Sequence, residues 1–201
     1  MKTHNLISSP DYNLSIQCIQ ELQKIENTYP IKYELDPHKK TKHGKPFLHL
    51  NFPLEYDIRG VYCIWMPESS IELTRKYLYI GTTPGKNDIM NRLRVFVQCC
   101  IGNENPHISH AAAESMKWEF GESKLKSIFD EGKMNVSVLE EEFIESIFIQ
   151  DIRPWRYKSQ QIEKLLHYLL NPKFNSNKNH FLSRGTNRSK VTNTLNIFFN
   201  K

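Results

Sequence analysis

Two charged side chains fall on or beside apolar helix faces, where a charge needs a specific partner. On a predicted helix that runs to about Cys100, Arg92 lies at the edge of the apolar face and Arg94 points away from it. An arginine there either extends its guanidinium to solvent or binds a specific anion. On a second predicted helix, residues 140–152, Glu145 projects inside a wide apolar arc. Because an unpaired buried charge is costly, it must be paired, hydrogen-bonded or metal-bound, and a salt bridge to Arg92 is one alternative.

Tyr62 and Tyr79 lie in two strand-like segments, each two residues from a glycine that permits close backbone approach. Either tyrosine taken singly is better explained by packing. A phenol, with an ordinary pKa of about 10, is a poor base at neutral pH unless nearby cations lower that pKa. Arg92 and a divalent ion would supply such cations.

The elements that must position these side chains follow from hydrophobic periodicity. An amphipathic helix is predicted to begin near Pro10 and run to about Asn27, and residues 31–58 read as irregular apart from a strand-like stretch at 47–52. Three further strands are predicted at 60–65, 76–81 and 134–139, with a helix at 158–170 that completes the core. Pro154 ends the helix that carries Glu145.

The chain resembles the GIY-YIG nucleases at Gly60-Val61-Tyr62 and at Tyr79-Ile80-Gly81, the two-strand signature of that family. The likeness continues with Arg92 on the next helix and with a glutamate nine residues before a proline, at Glu145 and Pro154. It covers roughly residues 59–158. The resemblance implies an α/β (α+β) fold: a small three-stranded antiparallel sheet flanked by helices.

The resemblance also implies an activity, metal-dependent hydrolysis of DNA by an endonuclease of restriction, phage or mobile-element type. Tyr62 would help activate the attacking water, and Tyr79 would orient the water or the phosphate. Arg92 would stabilise the scissile phosphate, and Glu145 would hold one Mg²⁺ (or Mn²⁺) ion per site. An oriented guanidinium and a hard cation suit the negative charge of a phosphoryl transition state.

Three departures from the family pattern bear on activity. Tyr157 stands where the family has the asparagine of a Pro-x-x-Asn pattern, and full activity would require Tyr157 to supply the supporting hydrogen bond instead. Phe96 stands where some members have a histidine. His107 or His110 would be a substitute for that histidine, although the pair otherwise indicates a turn. The gap between the two tripeptides is also long. The alternative function is therefore a DNA-binding protein of the same fold with impaired catalysis.

The charge distribution favours a polyanionic partner. Residues 150–201 contain ten Lys or Arg against two acids, and a second basic cluster lies at residues 38–45. Segregated positive charge suits duplex DNA, although two solvated basic loops are an equal alternative. The residues predicted to contact DNA are Lys39, Lys40, Lys42, Lys45, Arg94, Arg184, Arg188 and Lys190.

The length of 201 residues predicts one domain with elaborations: an extension at 1–58, a nuclease-like core at 59–158 and a basic tail at 159–201. No membrane span or signal peptide is evident. The four cysteines lack the spacing of a zinc site or a disulfide framework. A cytoplasmic protein, monomeric or homodimeric and without a membrane partner, is the expectation.

Overall fold

The computed structural model describes residues 10–52, 58–68, 75–83, 88–104 and 109–175. Six strands, numbered in chain order, form two antiparallel sheets within this part of the chain. The larger sheet has the order β1-β6-β4-β5, and β2 pairs only with β3. The strands are β1 (Thr28–Pro30), β2 (Lys32–Lys40), β3 (Pro46–Asn51), β4 (Gly60–Pro67), β5 (Arg75–Thr82) and β6 (Asn135–Glu140).

Six α-helices lie on the two faces of the larger sheet, and a short 3-10 helix (Ile25–Asn27) precedes β1. They are α1 (Pro10–Gln23), α2 (Ile89–Cys100), α3 (Ala111–Phe120), α4 (Glu122–Asp130), α5 (Glu141–Ile147) and α6 (Trp155–Leu170). None of these helices is long and apolar enough to cross a membrane, as far as the described residues go.

The central strand β4 is buried on both faces. Its successive side chains point to opposite faces of the sheet and so divide the core in two. Tyr62 and Ile64 face a cluster that includes Phe96 of α2. Val61 and Cys63 face a second cluster formed with residues of α1, α5 and α6. The result is a helix–sheet–helix sandwich in which α2 and α6 lie on opposite faces.

The edge of β5 is covered by the segment that follows α6. The N–H groups of Lys173 and Phe174 donate to the carbonyls of Tyr77 and Leu78, at 3.3 and 2.8 Å. The side-chain amide of Asn175 continues this pairing by hydrogen-bonding the backbone N–H and the carbonyl of Ile80. Covering the edge in this way fixes the end of α6 beside β5.

The prediction of an α+β fold is confirmed, but that of a single three-stranded sheet is wrong. Strand β1, from the predicted N-terminal extension, pairs with β6 and adds a fourth strand. Residues 32–51, predicted to be mostly irregular, form the β2–β3 hairpin. The prolines misled the prediction, because Pro37 lies in a bulge and Pro46 begins β3, where no ladder N–H is needed. The helices α3 and α4 were not predicted.

The helix predicted at 140–152 ends at Ile147. The Asp151 carboxylate accepts hydrogen bonds from the backbone N–H and the guanidinium of Arg153, which stabilises a turn in competition with the helix. Ile149 and Ile152 are consequently exposed rather than part of an apolar face. The boundary predicted after residue 158 falls inside α6.

Candidate functional site

Strand pairing brings Tyr62 and Tyr79 together. Tyr62 of β4 lies opposite Gly81 of β5, and Tyr79 lies opposite Ile64. The two tyrosine ring centroids are 6.0 Å apart. A Cβ atom on Gly81 would lie 2.7 Å from the ring and the hydroxyl of Tyr62. Glycine at position 81 therefore leaves the room in which the Tyr62 ring lies.

Arg92 reaches the same tyrosines from the first turn of α2. Asp88 caps this helix by accepting a 2.6 Å hydrogen bond from the backbone N–H of Asn91. The Nε atom of Arg92 and the hydroxyl of Tyr62 are both buried, and neither has a hydrogen bond of good geometry among the described residues. The Arg92 guanidinium nonetheless interacts with both tyrosine hydroxyls. Because buried polar groups are normally satisfied, Nε of Arg92 and the Tyr62 hydroxyl retain hydrogen-bonding capacity for a ligand.

The environment of the two phenols keeps them protonated. Burial raises the pKa of Tyr62 well above its ordinary value, and Tyr79 raises it further, while Arg92 acts in the opposite direction. Burial also raises the pKa of Tyr79, again against the effect of Arg92. At neutral pH both hydroxyls are therefore hydrogen-bond donors.

His110 completes this side of the cluster. It is 7% exposed, and its ring packs edge-on against Tyr79 and Phe96 at centroid distances of 5.0 and 5.3 Å. Burial and the charge of Arg92 lower its pKa to about 4, so the ring is neutral at pH 7. Both ring nitrogens lack a hydrogen-bond partner within the described residues. His107 lies outside those residues.

Glu145 does not lie in the environment predicted for it. Its side chain is 41% exposed and forms an ion pair with Lys158 of α6, whose own side chain is 8% exposed. The apolar arc that was expected to surround Glu145 is not formed, because α5 ends at Ile147. The placement inside an apolar arc is thus wrong, and the partner of Glu145 is Lys158 rather than Arg92. Its role as a metal ligand stays a prediction.

A different carboxylate, Glu163 of α6, lies within electrostatic reach of Arg92 and Tyr79. Burial raises the pKa of Glu163 to about 7, although Arg92 and then Lys164 act to lower it. Glu163 in turn raises the pKa of Tyr79. One oxygen of its carboxylate lies 3.9 Å from Nε2 of His167. The fold therefore brings Tyr62, Tyr79, Arg92 and His110 together, from β4, β5, α2 and the segment before α3, and Glu163 of α6 lies within electrostatic reach of Arg92 and Tyr79.

The sequence carries a signal for Glu163 that helical periodicity does not detect. Glu163 stands nine residues before Pro172, the same spacing as Glu145 and Pro154. The segment Pro172-Lys173-Phe174-Asn175 also has the Pro-x-x-Asn pattern that Tyr157 lacks. Requiring both spacings together would have selected Glu163 over Glu145.

Asn175 holds the end of α6 against β5 in a buried position. Its Oδ1 accepts from the N–H of Ile80 at 2.8 Å, and its Nδ2 donates to the carbonyl of Ile80 at 2.7 Å. Nδ2 also lies 2.9 Å from Nε2 of His167, one helical turn after Glu163. Tyr157, by contrast, is exposed.

Glu163→Gln should stabilise the metal-free protein at high pH. Folding raises the pKa of the Glu163 carboxyl from 4.5 to about 7, so ionised Glu163 destabilises the folded state. This destabilisation is absent below the unfolded-state pKa, near pH 4.5, and is fully present above the folded-state pKa of about 7. The amide never ionises, so the variant should gain up to about 3 kcal/mol in unfolding free energy at pH 8 and little at pH 4.5. Urea unfolding in EDTA at the two pH values measures this.

Glu145→Gln is the matched control, because it removes the same charge from a half-exposed site. It leaves the buried Lys158 amine without its partner, so we expect destabilisation at both pH values. A Glu163→Gln variant whose stability follows that of the wild type from pH 4.5 to pH 8 would show that Glu163 is not held in a costly environment.

The predicted DNA contacts fall into two groups. Lys39, Lys40, Lys42 and Lys45 lie at the tip of the β2–β3 hairpin, and Arg94 lies on α2 with its guanidinium carbon 5.8 Å from the Phe47 ring centroid. The other predicted contacts lie outside the described residues: Arg184, Arg188 and Lys190.

Comparison of the chain with family models, with curated proteins and with solved structures finds no significant match.

Proposed function

We propose that this chain is a divalent-metal-dependent endonuclease of GIY-YIG type that hydrolyses phosphodiester bonds in duplex DNA. The observation that carries the proposal is the cluster of Arg92 with Tyr62 and Tyr79, in which the guanidinium interacts with both phenols and its buried Nε has no hydrogen bond among the described residues. Such oriented donors suit the charge that develops on a phosphate oxygen during hydrolysis.

The residues present fit one Mg²⁺ or Mn²⁺ ion rather than a closed metal cage. The described residues contain no group of three or more His, Cys, Asp or Glu that would ligate one ion. Mg²⁺ retains several waters and needs only one or two carboxylates together with substrate phosphate. Glu163 is the better ligand, because its pKa is raised by burial and a cation would compensate that cost. Glu145, which Lys158 already neutralises, is the alternative ligand.

In the proposed reaction a water oxygen bonds to phosphorus while one phosphorus–oxygen ester bond breaks. Arg92 donates to the phosphate as negative charge accumulates there. Tyr79 orients the phosphate or the water. Tyr62 would release its own proton to solvent when DNA and the metal ion bind, and would then accept the proton of the attacking water, while the leaving oxygen takes a proton from solvent. The bound metal ion would supply the positive charge that lowers the Tyr62 pKa, since Arg92 alone does not offset burial.

His110 is proposed as a supporting residue beside Tyr79. Its neutral ring can accept a hydrogen bond from the Tyr79 hydroxyl or from a water that enters with the substrate. This is the role expected for the histidine that Phe96 replaces. Phe96 then provides the surface on which the His110 ring packs.

The burial of Tyr62 supports a second candidate function, a DNA-binding protein of this fold with impaired catalysis. Tyr62 is fully buried, and its pKa is raised rather than lowered. If DNA and metal do not lower that pKa, the site would bind phosphate without activating water.

Nicking of supercoiled plasmid separates the two candidates. We expect the wild type to convert the plasmid to nicked or linear DNA in Mg²⁺ and to leave it intact in EDTA. Binding of the plasmid without any cleavage in Mg²⁺ or Mn²⁺ would favour the impaired protein. Cleavage that proceeds equally in EDTA would contradict a metal-dependent site.

A cytoplasmic location and a monomeric or homodimeric state belong to the same proposal. All four cysteines are buried and unbonded to one another, in keeping with a reducing compartment.

A further inference from the structure

We propose that the tip of the β2–β3 hairpin, residues 38–45, binds the phosphates of duplex DNA and holds the duplex against the site that contains Arg92. This inference rests on the proposed function. It adds a second contact surface that lies outside the segment resembling the GIY-YIG nucleases.

The hairpin tip is strongly and uniformly basic. It contains four lysines, two histidines and no acid, and Lys39, Lys40 and Lys42 are exposed. The nearest acids on the hairpin lie below the tip, where Glu34 accepts a 3.1 Å hydrogen bond from Asn51. Asp36 accepts from the backbone N–H groups of two residues of the bulge, at 2.8 and 3.1 Å. Asp36 is therefore the acid of the hairpin that contacts the tip, and it does so through backbone N–H groups rather than through the lysine amines.

The tip is an ordered scaffold rather than a solvated loop. Asp36 lies opposite Phe47 and Lys40 lies opposite Pro46, so three residues of β2 bulge out of the ladder. The turn is closed by hydrogen bonds from the N–H of Thr41 to the carbonyl of Lys45, and from the N–H of Gly44 to the carbonyl of Thr41. Gly44 has a positive φ of 76°, which glycine adopts without strain. The exposed lysines are thus presented in a defined geometry.

The hairpin is attached to the helix that carries Arg92. Nζ of Lys45 donates to the carbonyl of Gly102, just after α2, at 3.2 Å, and Asn103 donates to the carbonyl of Pro46 at 3.0 Å. Lys45 therefore anchors the tip, which leaves the other three lysines for phosphate. At about 1.5 Å per residue, the anchor lies about 15 Å along α2 from Arg92. Four or five base pairs span that distance, since phosphates follow one another every 3.4 Å or so along a strand.

Arg94 extends the positive surface between these points. Its guanidinium carbon and the amine of Lys39 lie 5.8 and 4.4 Å from the centroid of the same Phe47 ring. Phe47 thereby ties α2 to the hairpin. A duplex bound by the hairpin tip would meet Arg94 on the side of α2 that faces the hairpin.

The shape and composition of the tip favour duplex DNA over RNA or single strands. A two-stranded ribbon enters the major groove of B-form DNA, which is about 12 Å wide, whereas the major groove of A-form RNA is too narrow. Single-strand binding relies on aromatic rings that stack on bases, and the Phe47 ring is already covered by Lys39 and Arg94.

Salt-dependent binding of a short DNA duplex, measured by fluorescence anisotropy in EDTA, tests the inference. Each phosphate contact contributes roughly 0.9 to the slope of log K against log salt concentration. The variant Lys39→Gln, Lys40→Gln, Lys42→Gln should lose about 2.7 of that slope. The matched control Lys24→Gln, Lys76→Gln, Lys124→Gln removes the same charge from exposed positions elsewhere and should lose little. The variant Lys39→Arg, Lys40→Arg, Lys42→Arg should keep the slope.

Four outcomes would overturn the inference, and they are distinguishable. If the wild type cleaves DNA but the hairpin variant keeps its slope, the hairpin inference alone falls. Equal losses in the hairpin and control variants would indicate an unspecific effect of net charge. Tighter binding of duplex RNA than of duplex DNA would identify RNA, instead of DNA, as the partner of the hairpin tip. If the wild type neither binds nor cleaves duplex DNA, the proposed function falls with it. Circular dichroism of each variant ensures that folded proteins are compared.

Discussion

Glu163→Gln should abolish Mg²⁺-dependent cleavage of DNA, whereas Glu145→Gln should retain it. The reason is their position: Glu163 lies within electrostatic reach of Arg92 and Tyr79, and Glu145 forms an ion pair with Lys158. A metal ion supplies several kcal/mol of charge stabilisation in the transition state. Its loss lowers the rate on the order of 10³-fold or more.

Single-turnover cleavage of a labelled duplex, at saturating enzyme, measures the two rates. Binding in EDTA should be little changed in Glu163→Gln, since the amide keeps the shape of the side chain. Both variants should be assayed where unfolding curves show them to be folded, because Glu145→Gln leaves Lys158 unpaired. An inactive Glu145→Gln beside an active Glu163→Gln would restore the assignment made from sequence alone.

Arg92→Ala should reduce the chemical step by about 10²–10³, the loss seen when one oriented charge donor is removed from a comparable site. Arg92 lies beside both tyrosines and interacts with their hydroxyls. The Nε atoms of Arg92 and Arg94 are both buried without a hydrogen bond among the described residues, so the contact with the tyrosines is what distinguishes the two arginines. Arg94 is the control on the same helix, since it packs on Phe47 and donates to Asn91. Arg94→Ala should weaken DNA binding and change the rate at saturation by no more than about threefold, because it lies away from the tyrosines.

Rates at saturating enzyme and dissociation constants in EDTA separate these two effects. Equal rates at saturation for the two variants would contradict the assignment of Arg92 to the reacting phosphate. A loss in Arg92→Ala that appears only in binding would move Arg92 from the chemical step to substrate recognition.

The sequence predicts the central part of the fold because its signals are local. Short runs rich in β-branched and aromatic residues predict β4 and β5, alternation predicts β6, and Asp88 caps the start of α2. Once β4 and β5 pair, Tyr62 and Tyr79 must approach each other, and Gly81 leaves the space for them. Three of the proposed site residues therefore follow from pattern and pairing alone.

Helical periodicity does not decide which glutamate, Glu145 or Glu163, lies near Arg92. The periodicity around Glu145 predicts a long apolar arc, but a turn built on Asp151 and Arg153 ends α5 before that arc can form. The helix that continues the fold is α6, which Asn175 fixes against the edge of β5. Which of two glutamates approaches Arg92 depends on that tertiary contact, so only the Pro-x-x-Asn spacing carried a signal for it.

The hairpin was missed for a related reason. In a short stretch of sequence, Pro37 and Pro46 indicate that no strand can form. In the structure Pro37 lies in a bulge and Pro46 at the first position of a strand, and both positions tolerate proline. Whether such positions are tolerated depends on the partner strand, which a local pattern does not contain.

Anomalous scattering from Mn²⁺ in crystals of the protein tests the central claim most directly. The account predicts one anomalous peak within coordination distance of the Glu163 carboxylate, on the side of Arg92 and the tyrosines, and no peak there in crystals of Glu163→Gln. A peak at Glu145 instead, or Mn²⁺ that persists unchanged in the Glu163→Gln crystals, would contradict it.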